Sequence, residues 1–186
     1  MTIQTQTPAT IADLYAVRGK AELIEGALIR MSPTGDMPNY AAGKIYVALL
    51  VYEEETGSGR AVADNAGFVV KLPHRQSFSP DAGFYTGPGA GMKFFTGAPV
   101  FAAEVRSEGD YGPAAERVMA AKRADYFTTG SRVVWDVDLQ SLDVVRVYRA
   151  DTPDTPTIYR RGEQAEAEPA VPGWIMPVDG LFRKGT

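Results

Sequence analysis

Pro99-Val100-Phe101-Ala102-Ala103-Glu104-Val105-Arg106 is the stretch on which the fold turns. Up to Ala103 it is wholly apolar, the composition of a central strand covered on both faces, whose interior seldom accepts a charge. A glutamate closing such a strand therefore reads as functional. Upstream, Ser79-Pro80-Asp81-Ala82-Gly83-Phe84-Tyr85 reads as the entry to another strand, predicted over 78–85. Proline is accommodated at a strand start and fixes the local geometry just before Asp81, although a lone Pro-Asp pair more often marks a turn. Downstream, Pro113 is placed as the first residue of a long helix over 114–128 that Gly130 closes. On that helix Ala115, Val118, Met119, Lys122 and Tyr126 recur at offsets of three and four, so a lysine sits in the apolar stripe. An unpaired buried ammonium is costly, so Lys122 either snorkels to solvent or meets carboxylates.

The rest of the chain extends this frame. Thr10 and Asp13 predict a capped helix running to about Arg18, with Gly19 as its stop. Glu22–Arg30 reads as a hairpin about Glu25-Gly26. Ala41, Ile45, Leu49 and Tyr52 predict a helix over 38–56 ended by Gly57. Strands are expected at 60–72, 78–85, 98–106, 132–138, 142–150 and 156–161, with Gly87-Pro88-Gly89-Ala90-Gly91 as a mobile loop. The tail from Gly162 is expected to wrap the surface, anchored by Trp174, Ile175, Leu181 and Phe182. Because helices and strands do not strictly alternate, the order predicts an α/β (α+β) fold with a central mixed sheet flanked by helices.

A length of 186 residues suits one domain spanning 1–186. With no cysteine there is no disulfide framework and no thiolate metal site, which suits a reducing compartment, and a cytoplasmic location is expected. The first ten residues lack the basic and apolar segments of a secretory signal. The longest apolar run, bracketed by Lys44 and Glu53, is far short of the roughly 20 residues that span a bilayer, so no membrane segment is expected. A net charge of −4 and a pI near 5.1 argue against a protein that coats nucleic acid non-specifically. A local basic rim of Lys93, Arg106, Arg117 and Arg123 is compatible with that balance. His74, the only histidine, reads as an exposed loop residue outside any site, and Asp136 and Asp138 share one strand face read as solvated. Met31, Met92 and Met119 are expected to fill gaps in the core.

Together Asp81, Glu104 and Lys122 have the chemistry of phosphodiester hydrolysis. Two carboxylates hold a hard cation, Mg²⁺ or Mn²⁺, that polarises a phosphate. A nearby lysine, its pKa lowered by burial and by the metal, orients or helps deprotonate water and offsets charge developing on phosphorus.

Ala21-Glu22-Leu23-Ile24-Glu25-Gly26-Ala27-Leu28-Ile29-Arg30-Met31-Ser32-Pro33, then Ser79-Pro80-Asp81, Ala103-Glu104-Val105-Arg106-Ser107 and Lys122-Arg123-Ala124-Asp125-Tyr126-Phe127, followed by Val133-Val134-Trp135-Asp136-Val137-Asp138, form an ordered series. Over about residues 10–182 the series resembles the bacterial "putative restriction endonuclease" family, expanded in cyanobacteria and belonging to the PD-(D/E)xK nuclease superfamily. The resemblance implies a restriction-endonuclease-like core, metal on Asp81 and Glu104, and a catalytic lysine moved from strand to helix at Lys122. It makes Glu22 a candidate third acid, beside the alternative that it is simply a charged hairpin residue. Two positions depart from the pattern. Asn39 stands where many relatives carry histidine, and Arg106 stands where the broader superfamily has lysine; an arginine cannot serve as a base but can bind phosphate. The implied activity is a DNA endonuclease, expected as a homodimer because cutting both strands calls for two sites related by two-fold symmetry. The alternatives are an inactive nuclease fold serving as a binding or assembly module, which the acidic pI and Asn39 favour, and a hydrolase of small phosphodiesters.

Overall fold

The computed structural model describes residues 7–185. The expectation for residues 1–6, that they carry no export signal, falls outside them. Helix α1 (Ile11–Tyr15) leads into a hairpin of β1 (Ala21–Ile24) and β2 (Ala27–Arg30), then the long α2 (Asp36–Thr56). Strands β3 (Arg60–Ala63), β4 (Phe68–Val69), β5 (Ser77–Phe78), β6 (Ala82–Tyr85), β7 (Phe95–Thr96) and β8 (Phe101–Val105) precede α3 (Pro113–Thr128). After it come β9 (Val133–Val137), β10 (Val145–Arg149), β11 (Thr152–Tyr159), β12 (Gln164–Glu166), β13 (Ile175–Pro177) and a 3₁₀ turn (Val178–Leu181). Among the described residues no helix is long and apolar enough to cross a membrane.

Local chemistry explains the ends of these elements. Thr10 and Asp13 form a reciprocal capping box on α1. Glu25 and Gly26 both take positive φ, 50° and 71°, as a tight two-residue hairpin turn requires. Gly57 closes α2 in the left-handed conformation, and Pro113 opens α3.

The expected mixed sheet is present, with six strands in the order β11-β10-β9-β8-β6-β3. Only β8 and β9, joined through α3, are parallel; the other pairs are antiparallel. Strand alternation then assigns the faces. Phe101, Ala103 and Val105 of β8 join Val133, Trp135 and Val137 of β9 in a core with Ala41, Ile45 and Leu49 of α2. Ala102 and Val134 face the other way, into a second core with Phe68, Phe78 and Tyr126. Glu104 and Asp136, paired across the parallel strands, share this second face. Gly83 lets β6 lie against β8, since a Cβ there would meet the Phe101 carbonyl oxygen at 2.8 Å.

Several expectations are corrected. The strand expected over 60–72 breaks at a turn where Asn65 has φ of 65°, and β4 leaves to form a separate three-stranded sheet with β5 and β7. Strand β11 begins at Thr152, because Pro153 and Pro156 are tolerable on an outermost strand that lacks a neighbour on one side. The tail does more than wrap the surface: Ala165, Val171, Trp174, Met176 and Leu181 are part of the α2-side core. Ile175 is no anchor at 57% exposure, because alternation in β13 turns Met176 inward instead. The α3 stripe is likewise not buried as expected. Val118 is 66% exposed, since the first half of α3 overhangs a cavity rather than the sheet. Met92 is fully exposed in the glycine-rich loop, and Met31 and Met119 line that cavity.

Trp174 packs at 5.2 Å from Trp135 and 5.7 Å from Phe101, ring centre to ring centre. Trp174→Ala should therefore cost about 3–5 kcal/mol of unfolding free energy, read from urea denaturation, whereas a tail merely draped on the surface would leave the midpoint unchanged.

Candidate active site

A cavity of about 530 Å³ opens on the α3 side of the sheet, between α3, the β1–β2 hairpin and the segment 31–34. Glu22, Asp81, Glu104 and Lys122 all line it. Each is delivered by a different element. Asp81 follows β5 and is tied to β8 twice: its backbone N–H donates to the Ala103 carbonyl (3.1 Å), and its Oδ2 accepts the Val105 N–H (2.8 Å). That clamp sets Asp81 beside Glu104. Lys122 reaches down from α3 and donates to Glu104 Oε2 at 2.8 Å, with Glu22 Oε1 at 2.9 Å on its other side. Lys122 thus meets carboxylates rather than snorkelling. One turn on, the Tyr126 hydroxyl donates to Glu104 Oε1 (2.7 Å), while its ring stacks on Phe78 at 4.0 Å.

Glu22 is no solvated hairpin charge. It is 2% exposed and accepts from Lys122, from the Ser79 N–H (3.0 Å) and from Arg75 Nη1 (2.5 Å). Arg75, itself buried, passes the link on through Nε to Asp125 Oδ2 (2.8 Å), whose Oδ1 meets His74 Nε2 at 2.7 Å. His74 keeps its expected exposure but braces this chain. Lys20 closes the other end of the site, with Nζ 2.5 Å from Asp81 Oδ1 and 2.6 Å from Asp64 Oδ1.

Lys20, Arg75, Asp125 and Tyr126 are participants that the motif reading left outside the site. Tyr126 carried a signal, lying one helical turn after Lys122, and so did Lys20, two residues before Glu22 and hence on its side of an extended segment. Arg75 lies in an irregular loop and gave none.

Other expectations fail here. Arg106 is not an exposed phosphate contact. It is buried, bound through Nε and Nη2 to Asp136 at 2.7 Å each and also to Glu116, so it clasps the start of α3 to β9. Asp136 and Asp138 do share a face, but that face is covered: Asp136 holds Arg106, and Asp138 accepts from the Tyr111 hydroxyl (3.0 Å). Of the expected basic rim, Arg123 lines the cavity with its guanidinium 3.6 Å from the Tyr148 ring centre, while Lys93 and Arg117 are exposed outside the lining. Asn39 sits exposed in the first turn of α2, also outside it.

The electrostatics follow from these pairings. Burial raises the Glu104 carboxyl above its ordinary value; Lys122 opposes the rise, while Asp81 and Glu22 add to it. For Glu22 burial is outweighed by Lys122 and Arg75, and its pKa is lowered. Burial alone would depress Lys122, but Glu104 and Glu22 outweigh it and hold the ammonium above the lysine range. The burial expected to lower Lys122 is thus outweighed by the two glutamates beside it. Lys20 is raised for a like reason, burial being outweighed by Asp81, Glu104 and Asp64.

This constellation lies inside one recognisable span. A family model, Uma2, described as "Putative restriction endonuclease", matches residues 11–179. The chain belongs to the Uma2 family. That span includes every acidic and basic group of the cavity named above, and membership places the chain among putative nucleases. The fold agrees. A crystal structure described as a putative nuclease belonging to DUF820, from Anabaena variabilis ATCC 29413, is similar with a TM-score of 0.73 and 14% identity, covering 94% of this chain and 98% of that one. No curated protein matches. Within the Uma2 chain, Glu22 is a buried carboxylate with three partners to lose. Glu22→Gln should cost about 3–5 kcal/mol in denaturant titrations at neutral pH, because Arg75 and Lys122 are left buried without their shared partner. A lowered carboxylate pKa stabilises the fold above the unfolded value and ceases to as pH falls through the folded value. The gap between wild type and variant should therefore be full above pH 4.5 and shrink below it.

Proposed function

We propose that this chain is a divalent-metal-dependent endonuclease that hydrolyses phosphodiester bonds in DNA, with Asp81, Glu104 and Lys122 at its centre. The observation that carries the reading is the convergence of those three side chains on one cavity, with Asp81 clamped to the strand that bears Glu104.

The donor set fits a hard dication. Asp81 and Glu104 offer carboxylate oxygens only, and no cluster of three or more metal-ligating side chains occurs among the described residues. One or two carboxylates are what Mg²⁺ takes from a protein when water and phosphate complete its shell. Asp81 and Glu104 would hold the ion, which supplies Lewis-acid polarisation of a phosphate oxygen when bound. Lys122, whose ammonium Glu104 and Glu22 favour, faces the phosphate as a cation and offsets charge developing in the transition state. Tyr126 and Glu22 are positioning residues, the first orienting Glu104 and the second holding Lys122 from behind. On duplex DNA two copies related by two-fold symmetry would cut both strands.

A second reading, a nuclease fold retained as a binding or assembly module, is favoured by one observation: Lys20, Arg75, Arg106 and Lys122 all spend their charge on the chain's own carboxylates. Supercoiled plasmid incubated with Mg²⁺ or Mn²⁺ separates the two. Wild type should nick it, and Lys122→Ala and Asp81→Ala should each be slower by about 10²-fold or more. No cutting, or equal cutting by all three proteins, would leave the binding module. Cleavage of a chromogenic phosphodiester without cleavage of plasmid would point to small substrates instead.

A further inference from the structure

Lys20 does not behave as an ordinary salt-bridge residue. Its ammonium lies between two carboxylates, 2.5 Å from Asp81 Oδ1 and 2.6 Å from Asp64 Oδ1. The two acceptors differ. Asp81 is recessed in the site, its side chain 15% exposed, while Asp64 stands in the turn after β3 at 40%. Asp81 is oriented by its Oδ2, which accepts the Val105 N–H, so the oxygen that Lys20 holds is the one less committed to the backbone. Asp64 is fixed as well, its Oδ1 accepting the Asn65 N–H at 2.7 Å.

Two cations cannot share Asp81 Oδ1 at close range without strong repulsion in a cleft that water screens poorly. Removing Lys20 entirely would leave Asp81 and Glu104 facing each other, since they already interact unfavourably. We propose that Lys20 is an internal counter-ion that occupies the metal position of Asp81 and yields it to a divalent cation by withdrawing onto Asp64. This rests on the metal-centre reading above. Lys20 is on this account a positioning residue that sets how much divalent cation the site demands, and Asp64 is the acceptor that makes withdrawal possible. The exchange is an ion swap: no bond is broken, and one carboxylate oxygen changes partner.

Isothermal titration of the 186-residue chain with Mn²⁺ tests it without recourse to activity. Lys20→Met should tighten Mn²⁺ binding by about 5- to 100-fold, the usual range of coupling between competing occupants. Lys20→Gln should do the same, and Lys20→Arg should stay near wild type. Asp64→Asn should weaken binding several-fold, because the ammonium then rests on Asp81 alone. The decisive comparison is the double variant: with Lys20 already methionine, Asp64→Asn should change Mn²⁺ affinity by less than about twofold, since Asp64 acts through Lys20. Unchanged or weaker binding in both Lys20→Met and Lys20→Gln would overturn the inference, as would an Asp64→Asn effect of the same size in both backgrounds. Mn²⁺ binding that is absent throughout, or indifferent to Asp81→Ala, would remove the metal centre itself and this inference with it.

Discussion

Three carboxylates brought into one poorly solvated cleft repel one another and lose hydration, and the architecture around the cavity is organised against that cost. Glu22, Asp81 and Glu104 are tolerable together because Arg75, Lys20 and Lys122 meet them at hydrogen-bonding distance. The compensation is shared. Lys122 serves two glutamates, and Arg75 serves Glu22 and Asp125, so each cation ties separate elements together. The hairpin, the loop before β5, the end of β8 and the middle of α3 are joined through charge as much as through apolar packing.

The sheet supplies what ion pairs cannot, a fixed direction for each side chain. Alternation along β8 sends Phe101, Ala103 and Val105 into the core under α2 and leaves Glu104 on the opposite face with Ala102. The parallel crossover through α3 then carries Lys122 and Tyr126 over that same face. Arg106, two residues beyond Glu104 and so on the same side, is drawn away by Asp136 and Glu116. The Arg106 guanidinium is thereby a clasp for the start of α3, and the cation hydrogen-bonded to Glu104 is Lys122.

The same pairings explain how an acidic chain comes to line one cavity with several cations. Its net charge of −4 reports the whole surface, but inside the cavity cations and carboxylates are nearly balanced and locally matched. A cavity so matched differs from a permanently basic groove, whose cations lack partners on the chain itself.

By itself the sequence determined the layers and the capped and glycine-stopped helices, and it singled out Asp81, Glu104 and Lys122 as candidates that the fold brings to one cavity, because these rest on local signals: a charge closing an apolar strand, a lysine in a helical stripe, an aspartate after a proline. It left the state of Glu22, Asp136 and Asp138 open or misread, since alternation tells which face a residue occupies but not what covers that face. It named Trp174 and Leu181 as anchors of the tail, but not how far the tail completes the core under α2. Only tertiary structure decided that Lys20 reaches Asp81, that Arg75 backs Glu22 across 53 positions of chain, and that Lys122 lies between two glutamates that favour its ammonium form. The physical reason is that periodicity and capping act over one turn or one strand, whereas the partner and the protonation state of a buried charge depend on whatever the fold brings beside it from elsewhere in the chain.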